Sequence, residues 1–253
     1  MTPLAGEPCV VLRPTPDGEP LCTALRELGL KVQHFPSLEI RPLALAIPPA
    51  PAARIIVFIS RNAVRHGAGV IAAAPGAAIG AIGAGTAAEL RAAGHPAELF
   101  PQTGYDSEAL LAVPALTAVA GQQIWIVRGR GGRAMLGDTL SRRGAHVRYI
   151  EVYERQIAQP DARRLRDVKA LLSGTHPAWL VVTSVESLAA LHTLLGDDPL
   201  CYGLVTASDR VVKLAQARDR VALVLRASGP DVAALRACLQ VWLRRQPPAP
   251  DSA

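Results

Sequence analysis

Five short stretches of this chain share one local pattern: small, polar or basic residues directly after an apolar run and directly before a helical one. They are Ser60-Arg61-Asn62, Gly83-Ala84-Gly85-Thr86, Arg128-Gly129-Arg130-Gly131, Thr183-Ser184 and Ser208-Asp209-Arg210. The first N–H groups of a helix have no partner inside it, and the helix dipole adds positive potential there, so such ends hold carboxylates or phosphates. The same residue types are ordinary helix caps, and a cap and an anion use the same donors. On the residues alone both readings stay open. Arg13 and Arg128 each close an apolar strand run, where a guanidinium either reaches an anionic arm or pairs with a nearby Asp or Glu.

Other chemistries find less support. The six histidines, His34, His66, His95, His146, His176 and His192, lie in different segments with no recurring acidic partner, so packing and surface roles are expected for them. Cys9, Cys22, Cys201 and Cys238 form no C-x-x-C pair and have no histidine at zinc spacing, so neither a disulfide framework nor a metal site is expected. Gly83 to Ala88 fits the dinucleotide fingerprint G-x-G-x-x-A after a strand. That fingerprint also wants an acid at the end of the next strand, where AELFPQ offers Pro101 and Gln102.

The elements that must position these residues are read from periodicity. Short apolar runs alternate with amphipathic stretches along the whole chain: CVVLR then EPLCTALRELG, RIIVFIS then RNAVRHGAGVIAA, AAIGAIG then GTAAELRAAG, QQIWIVRG then RAMLGDTLSRRG, AWLVVTS then VESLAALHTLLG, YGLVTAS then DRVVKLAQA. AELFP before DSEALL and VALVL before GPDVAALR complete the series. This is the pattern of an α/β fold with mainly parallel strands. It also repeats: Ser60 and Ser184, Gly83 and Ala207, and Ser107 and Asp231 all stand 124 positions apart. VVLRPTPDGEPLCTALRELG resembles WIVRGRGGRAMLGDTLSRRG, so two similar lobes are expected, each a parallel sheet flanked by helices. After each of those units comes a strand-like connector, VQHFPSLEIRPL and VRYIEVYERQI. The tail QPPAPDSA and the Pro-rich LAIPPAPAAR read as flexible surface.

Composition sets the outer limits. Half of the 253 residues are apolar and 19% are charged, enough to build two modest cores. The net charge of +6 suits an acidic partner without specifying one. The basic residues are spread out and aromatics make up only 4%, so no nucleic-acid surface is expected. Residues 67–88 carry no charge, but they are Ala and Gly rather than Leu and Ile and contain Pro75, so no membrane span is expected. The opening MTPLAGEPCVVLRP lacks a basic region followed by a long apolar one, and a cytoplasmic location is expected.

Taken in order, these pieces resemble the uroporphyrinogen-III synthase family. The resemblance rests on VLRP, FISRNAV where family members usually show F-T-S-x-N-A-V, AIGAGTAAELRAAG, DSEALL, IVRGRGGRAMLGDTLSRRGAHV, EVYERQ, VVTSVESL and ASDRV, which together run over nearly the whole chain. Ile59, where the family has Thr, and ASDRV, in place of a Gly-x-x-Thr type turn, depart from the pattern.

The resemblance implies two α/β lobes joined by a two-stranded β ladder. Residues 1–36 and 156–245 would form one discontinuous lobe and 42–149 the other, with 37–41 and 150–155 as linker strands and 246–253 as a flexible tail. It implies an enzyme that needs no cofactor and acts on hydroxymethylbilane, a linear tetrapyrrole with acetate and propionate arms. Loss of the terminal hydroxyl as water gives an azafulvene, and closure through the substituted carbon of the last ring gives the III isomer with that ring inverted. The bilane closes unaided to the I isomer, so the catalyst works largely by positioning. Tyr153 in EVYERQ matches the tyrosine that the family is thought to use near the departing hydroxyl; the plain alternative is a packed strand tyrosine whose OH reaches solvent. The candidate substrate-binding residues are Ser60, Asn62, Gly83, Gly85, Thr86, Gly129, Thr183 and Ser184 at the helix starts, Arg13 and Arg128 at matching strand ends of the repeat, and Ser208, in a turn that departs from the family pattern and is not assigned by match. It leans toward a monomer. The short life of the bilane gives a kinetic reason for transient contact with the upstream deaminase, although no motif marks such a contact. The alternative readings are a degenerate relative that binds tetrapyrroles without turnover and, from the Gly83–Ala88 fingerprint, a dinucleotide-dependent dehydrogenase.

Overall fold

Runs such as IIVF and AWLV carry an apolar side chain at every position, which suits a parallel strand covered by helices on both faces. In the computed structural model, which describes residues 6–47, 51–104, 106–132, 134–174 and 178–245, such runs occupy the middle of two five-stranded sheets. The chain opens with β1 (Pro8–Val11), α1 (Gly18–Arg26) and β2 (Lys31–His34), then β3 (Leu38–Pro42). There follow β4 (Ile55–Phe58), α2 (Arg61–Gly67), a 3-10 turn over Ala68–Ala73, β5 (Ala78–Ala81), α3 (Ala84–Ala92) and α4 (Ser107–Leu111). After a short 3-10 turn at Pro114–Leu116 come β6 (Gln123–Gly129), α5 (Met135–Arg142) and the long β7 (His146–Ile157). The chain ends with α6 (Ala162–Ser173), β8 (Ala178–Val181), α7 (Val185–Leu195), β9 (Cys201–Thr206), α8 (Asp209–Arg218), β10 (Arg220–Arg226) and α9 (Val232–Arg245). His176 and the tail 246–253 lie outside the described residues.

Residues up to Glu39 together with those from Gln156 onward make one compact unit, and Ile40–Arg155 makes the other. The first has strand order β10-β9-β8-β1-β2 and the second β3-β7-β6-β4-β5. The chain passes between them along β3 and β7. These two run antiparallel, because Leu43 N–H donates to Val152 O while Ala158 N–H donates to Ser37 O, one index falling as the other rises. The pairs β1–β2, β1–β8, β8–β9 and β9–β10 of the first unit are parallel, as are β4–β5, β4–β6 and β6–β7 of the second.

The two sheets are versions of one arrangement. Read from β2, the first unit runs β2-β1-β8-β9-β10. The second runs β7-β6-β4-β5, with a single parallel bridge from Gly80 to Leu99 where a fifth strand would stand. The sequence repeat pairs the β1 segment with β6 and the β8 segment with β4, so the second unit has its first two strands placed last. AELFP, read from sequence as a strand, is shortened to that one bridge; Pro101 ends it and removes a ladder donor.

Alternation along each strand sends side chains to two separate cores. In the second unit Ile56, Phe58, Trp125 and Val127 face α2 and α3, packing with Ala63, Val64, Ala87 and Leu90. Ile55, Val57, Ile124 and Ile126 face the other way, toward Leu110, Leu111, Leu136 and Leu140 of α4 and α5. In the first unit Val10, Leu12 and Leu180 pack under α6, α7 and α8, while Cys9, Val11 and Trp179 pack under α1 and α9. Each such fully buried aliphatic side chain contributes about 1.5–3 kcal/mol relative to exposure. Gly67 in α2 allows a close approach of helix to sheet, since a Cβ there would stand 2.6 Å from Val127 Cγ1.

Candidate functional site

In each unit the strand order reverses at one point, between β1 and β8 in the first and between β4 and β6 in the second. Ligands of open α/β sheets bind outside the carboxyl ends of the strands at such a point. The residues at or just past those ends are Arg13 and Thr183-Ser184 in the first unit and Ser60 and Gly129, the last residue of β6, in the second. These are among the residues singled out from sequence.

The second unit gathers the more reactive group. β7 runs beside β6 in parallel register until Arg128, opposite Glu151; the next pair is Gly129 with Tyr153, so Val152 is passed over in a bulge. In a regular strand Tyr153 would share the face of Val147 and Tyr149. The bulge turns it to the opposite face, where it joins Ile150 and Val152 in the core under α2. Arg128, on the face Tyr153 has left, lies buried with its guanidinium 4.7 Å from the centre of the Tyr149 ring and its Nε donating to Gly129 O at 3.1 Å. The two arginine and tyrosine pairs of this region therefore occupy opposite sides of the sheet.

Tyr153 is 2% exposed and packs in the core under α2. Its oxygen lies 3.1 Å from Ser60 Oγ and accepts a hydrogen bond from Arg155 Nη2 at 3.2 Å. Residues i and i+2 share a strand face, which is why Arg155 reaches it. The Arg155 guanidinium carbon is 5.5 Å from the ring centre, and the His66 ring lies 6.1 Å away, tilted by 45°. Burial and the charge of Arg65 both hold His66 below the usual histidine range, which keeps it neutral at pH 7. Gly129 forms the floor: a Cβ there would stand 2.5 Å from Tyr153 Cζ.

Ser60 also caps α2 by accepting from Ala63 N–H at 2.9 Å, so one hydroxyl links the helix to the phenol. Asn62 Oδ1 accepts from Arg65 Nη1 at 3.2 Å and is turned along α2. Ile59, where the family has Thr, packs against the core under α4 and α5. Gly83 stands before α3 with no side-chain cap; Thr86 is buried in its first turn, and Gly85 is exposed with nothing within 4 Å of a Cβ position. The strand-turn-helix setting of the dinucleotide fingerprint is thus present at β5 and α3, but Phe100-Pro101-Gln102 follow the Leu99 bridge without the acid.

In the first unit the serines act as caps. Ser184 Oγ accepts from Ser187 N–H at 3.1 Å and Ser208 Oγ from Val211 N–H at 3.4 Å, while Thr183 lies half-buried between β8 and α7. The Arg13 guanidinium donates to Pro230 O, and Arg13 O is 2.8 Å from His34 Nε2.

Two groups escaped the sequence reading. Arg155 carried a usable signal, since Tyr153 and Arg155 are two apart in a strand. The second is a buried cluster of His192, Tyr202 and Asp219, in which the packing role expected of a histidine takes an acidic partner 27 positions away: His192 Nε2 and Tyr202 OH lie 2.8 and 2.5 Å from Asp219 Oδ2. Burial alone would raise the Asp219 carboxyl, but hydrogen bonds from His192 and Tyr202, the charge of His192 and the Leu200 N–H outweigh it and hold it below the ordinary value. The same burial and the Asp219 charge push the Tyr202 phenol up. This cluster joins the end of α7 to the start of β9 and the residue before β10, at the amino ends of those strands, so it braces the first unit.

A sequence model of uroporphyrinogen-III synthase HemD matches residues 19–229 of the chain. This chain belongs to the uroporphyrinogen-III synthase family. The Escherichia coli K12 uroporphyrinogen-III synthase is 32% identical over 228 residues, covering 82% of this chain and 89% of its own. That of Salmonella typhimurium LT2 is 33% identical over 199 residues, 73% of this chain and 78% of its own. Among solved structures, the Helicobacter pylori 26695 uroporphyrinogen-III synthetase covers 95% of this chain and all of its own, with a TM-score of 0.65 at 14% identity. At that identity the likeness concerns the fold. Among the described residues, no helix is long and apolar enough to cross a membrane.

Proposed function

We propose that this uroporphyrinogen-III synthase cyclises hydroxymethylbilane with loss of water and inversion of ring D, using Tyr153 as the proton donor to the departing hydroxyl. The observation that carries the assignment of Tyr153 is its phenol, held between Ser60 and Arg155 at the carboxyl end of the second sheet. Phenols stay protonated at neutral pH and can give a proton to a leaving oxygen. The C–O bond of the terminal hydroxymethyl breaks, its electron pair leaves on oxygen, and the Tyr153 proton completes the water. The pyrrole nitrogen supplies the electron pair that makes the azafulvenium, and the phenolate recovers a proton when the closed macrocycle loses one. No oxidant or reductant is consumed, so the cycle balances without a cofactor.

The substrate's carboxylate arms are assigned to the backbone N–H groups that open α3, α7 and α8, at Gly83-Gly85-Thr86, Thr183-Ser184 and Ser208, and to Ser60, Asn62, Arg13, Arg128 and Gly129. Capping by Ser184 and Ser208 leaves other first-turn N–H groups as donors. A cytoplasmic monomer receiving bilane from the deaminase, through transient contact, belongs to the same proposal, supported by the substrate's instability.

The test is to generate the bilane in situ with a deaminase, add this protein, oxidise the products and resolve the isomers by chromatography. Mainly III isomer supports the proposal. Only I isomer, from protein with a cooperative melt, rejects it in favour of a binding protein without turnover.

A further inference from the structure

We infer that Arg155 is a positioning residue for the reaction: it orients the Tyr153 phenol and holds the charge left on its oxygen as the proton departs. The inference rests on the reading of Tyr153 as proton donor. It begins with the valence of one oxygen. A phenol oxygen donates one hydrogen bond and accepts others. Arginine only donates, so the 3.2 Å contact from Arg155 Nη2 fixes the direction of that bond: the phenol accepts. The phenol's own proton points elsewhere, and among the described residues Ser60 Oγ lies within its reach at 3.1 Å, a contact in which either hydroxyl can donate. Ser60 Oγ already accepts from Ala63 N–H and, with two lone pairs, can accept a second time. When the phenol is the donor in that contact, its proton already lies toward the Ser60 side. A substrate hydroxyl arriving at the same place takes over as acceptor, with no rotation of the ring required.

The ring itself is fixed. Gly129 packs against its edge and Val152 and Ile150 lie in the same core, so the phenol cannot turn to find another partner. Charge completes the argument. As the C–O bond breaks and the proton leaves, negative charge grows on Tyr153 oxygen, and a guanidinium in contact with that oxygen and 5.5 Å from the ring centre favours the transition state over the ground state. Arg155 is an exposed residue, so its side chain adds little to packing.

The experiment compares Arg155→Met, Arg155→Lys, Tyr153→Phe and the Tyr153→Phe/Arg155→Met double variant, each checked by thermal melting and assayed for III-isomer formation. Arg155→Met is expected to lower kcat about tenfold, equivalent to about 1.4 kcal/mol in the barrier, with KM for the bilane changed by less than about twofold. Arg155→Lys keeps the charge and recovers most of the loss. In the Tyr153→Phe background Arg155→Met costs nothing further, because the oxygen it serves is gone. A loss that repeats in that background, or that falls on KM rather than kcat, overturns the inference and makes Arg155 a binder of a substrate arm. Wild-type turnover by Arg155→Met beside a slow Tyr153→Phe overturns it alone; wild-type turnover by Tyr153→Phe overturns the reading of Tyr153 and this inference together.

Discussion

Replacing Gly129 by alanine adds one methyl group at the point where β6 passes the edge of Tyr153. The new Cβ would lie 2.5 Å from Tyr153 Cζ, 2.6 Å from Cε2 and 3.0 Å from the phenol oxygen. Carbon atoms in contact sit about 3.5–4.0 Å apart, so the ring must retreat by about 1 Å. The phenol's bonds to Ser60 and Arg155 start at 3.1 and 3.2 Å, and a retreat of that size breaks or badly stretches both. A reacting group misplaced by about 1 Å loses on the order of a hundredfold in rate, so kcat for the III isomer is expected to fall roughly 10- to 100-fold. Overpacking of this kind costs about 1–3 kcal/mol. For a chain of this size that lowers Tm by roughly 2–4 °C per kcal/mol, leaving a folded protein to assay. The control is Gly69→Ala in the same unit, where a Cβ meets nothing closer than Leu45 Cδ2 at 3.5 Å and φ is ordinary; rate and Tm should stay at wild-type values. The assay is bilane turnover with isomer separation, paired with calorimetry. A folded Gly129→Ala variant with wild-type kcat would refute the placement of Tyr153 in the reaction.

Tyr153→Phe should lower turnover several-fold or more in a protein that still melts cooperatively, at a stability cost of about 1–3 kcal/mol for the phenol's lost hydrogen bonds; equal rates in a folded variant remove the phenol from the mechanism. Ser60→Ala should cost about 1 kcal/mol of stability through loss of the α2 cap and should also slow turnover, which calorimetry and the isomer assay read separately. Tyr202→Phe removes a donor from the shielded Asp219 carboxylate and should cost about 1–3 kcal/mol in a denaturant melt while leaving kcat unchanged. Asp219, held below its ordinary value, contributes stability that is fully present above about pH 4 and lost as pH falls through its depressed folded value. The Tm gap between wild type and Asp219→Asn should therefore be widest near neutral pH and close at strongly acidic pH; a gap that grows on acidification contradicts the sign.

Alternating apolar strands and amphipathic helices made the α/β class legible, because period 2 and period 3.6 survive in the residues themselves. The repeat was legible too: Ser60 and Ser184 both follow the strand on the far side of the reversal point, capping α2 and α7. The bulge was not. Period 2 puts Tyr149 and Tyr153 on one face, and only the slip past Val152 separates them, sending one to Arg128 and the other to Ser60 and Arg155. A slip of one residue leaves no mark in composition, although Gly129 opposite Tyr153 is its trace: a small residue where a ring comes close. His192 and Asp219 stand 27 positions apart with no shared motif, and their meeting depends on how α7 and α8 pack on β9 and β10, which is tertiary information. The serines at the helix starts illustrate a different limit. Their side chains cap, as one reading had it, but capping uses one N–H of several and leaves the question of anion binding to experiment.

The central claim is most directly tested by the isomer ratio as a function of enzyme concentration, with bilane supplied at a constant rate. Uncatalysed closure to the I isomer competes at every moment, so the ratio is an internal clock for the enzymatic step. The account predicts a III fraction that climbs toward unity as wild-type protein is added and a climb displaced to several-fold higher concentration for Tyr153→Phe. A product that remains wholly I isomer at every concentration of folded wild-type protein would contradict it.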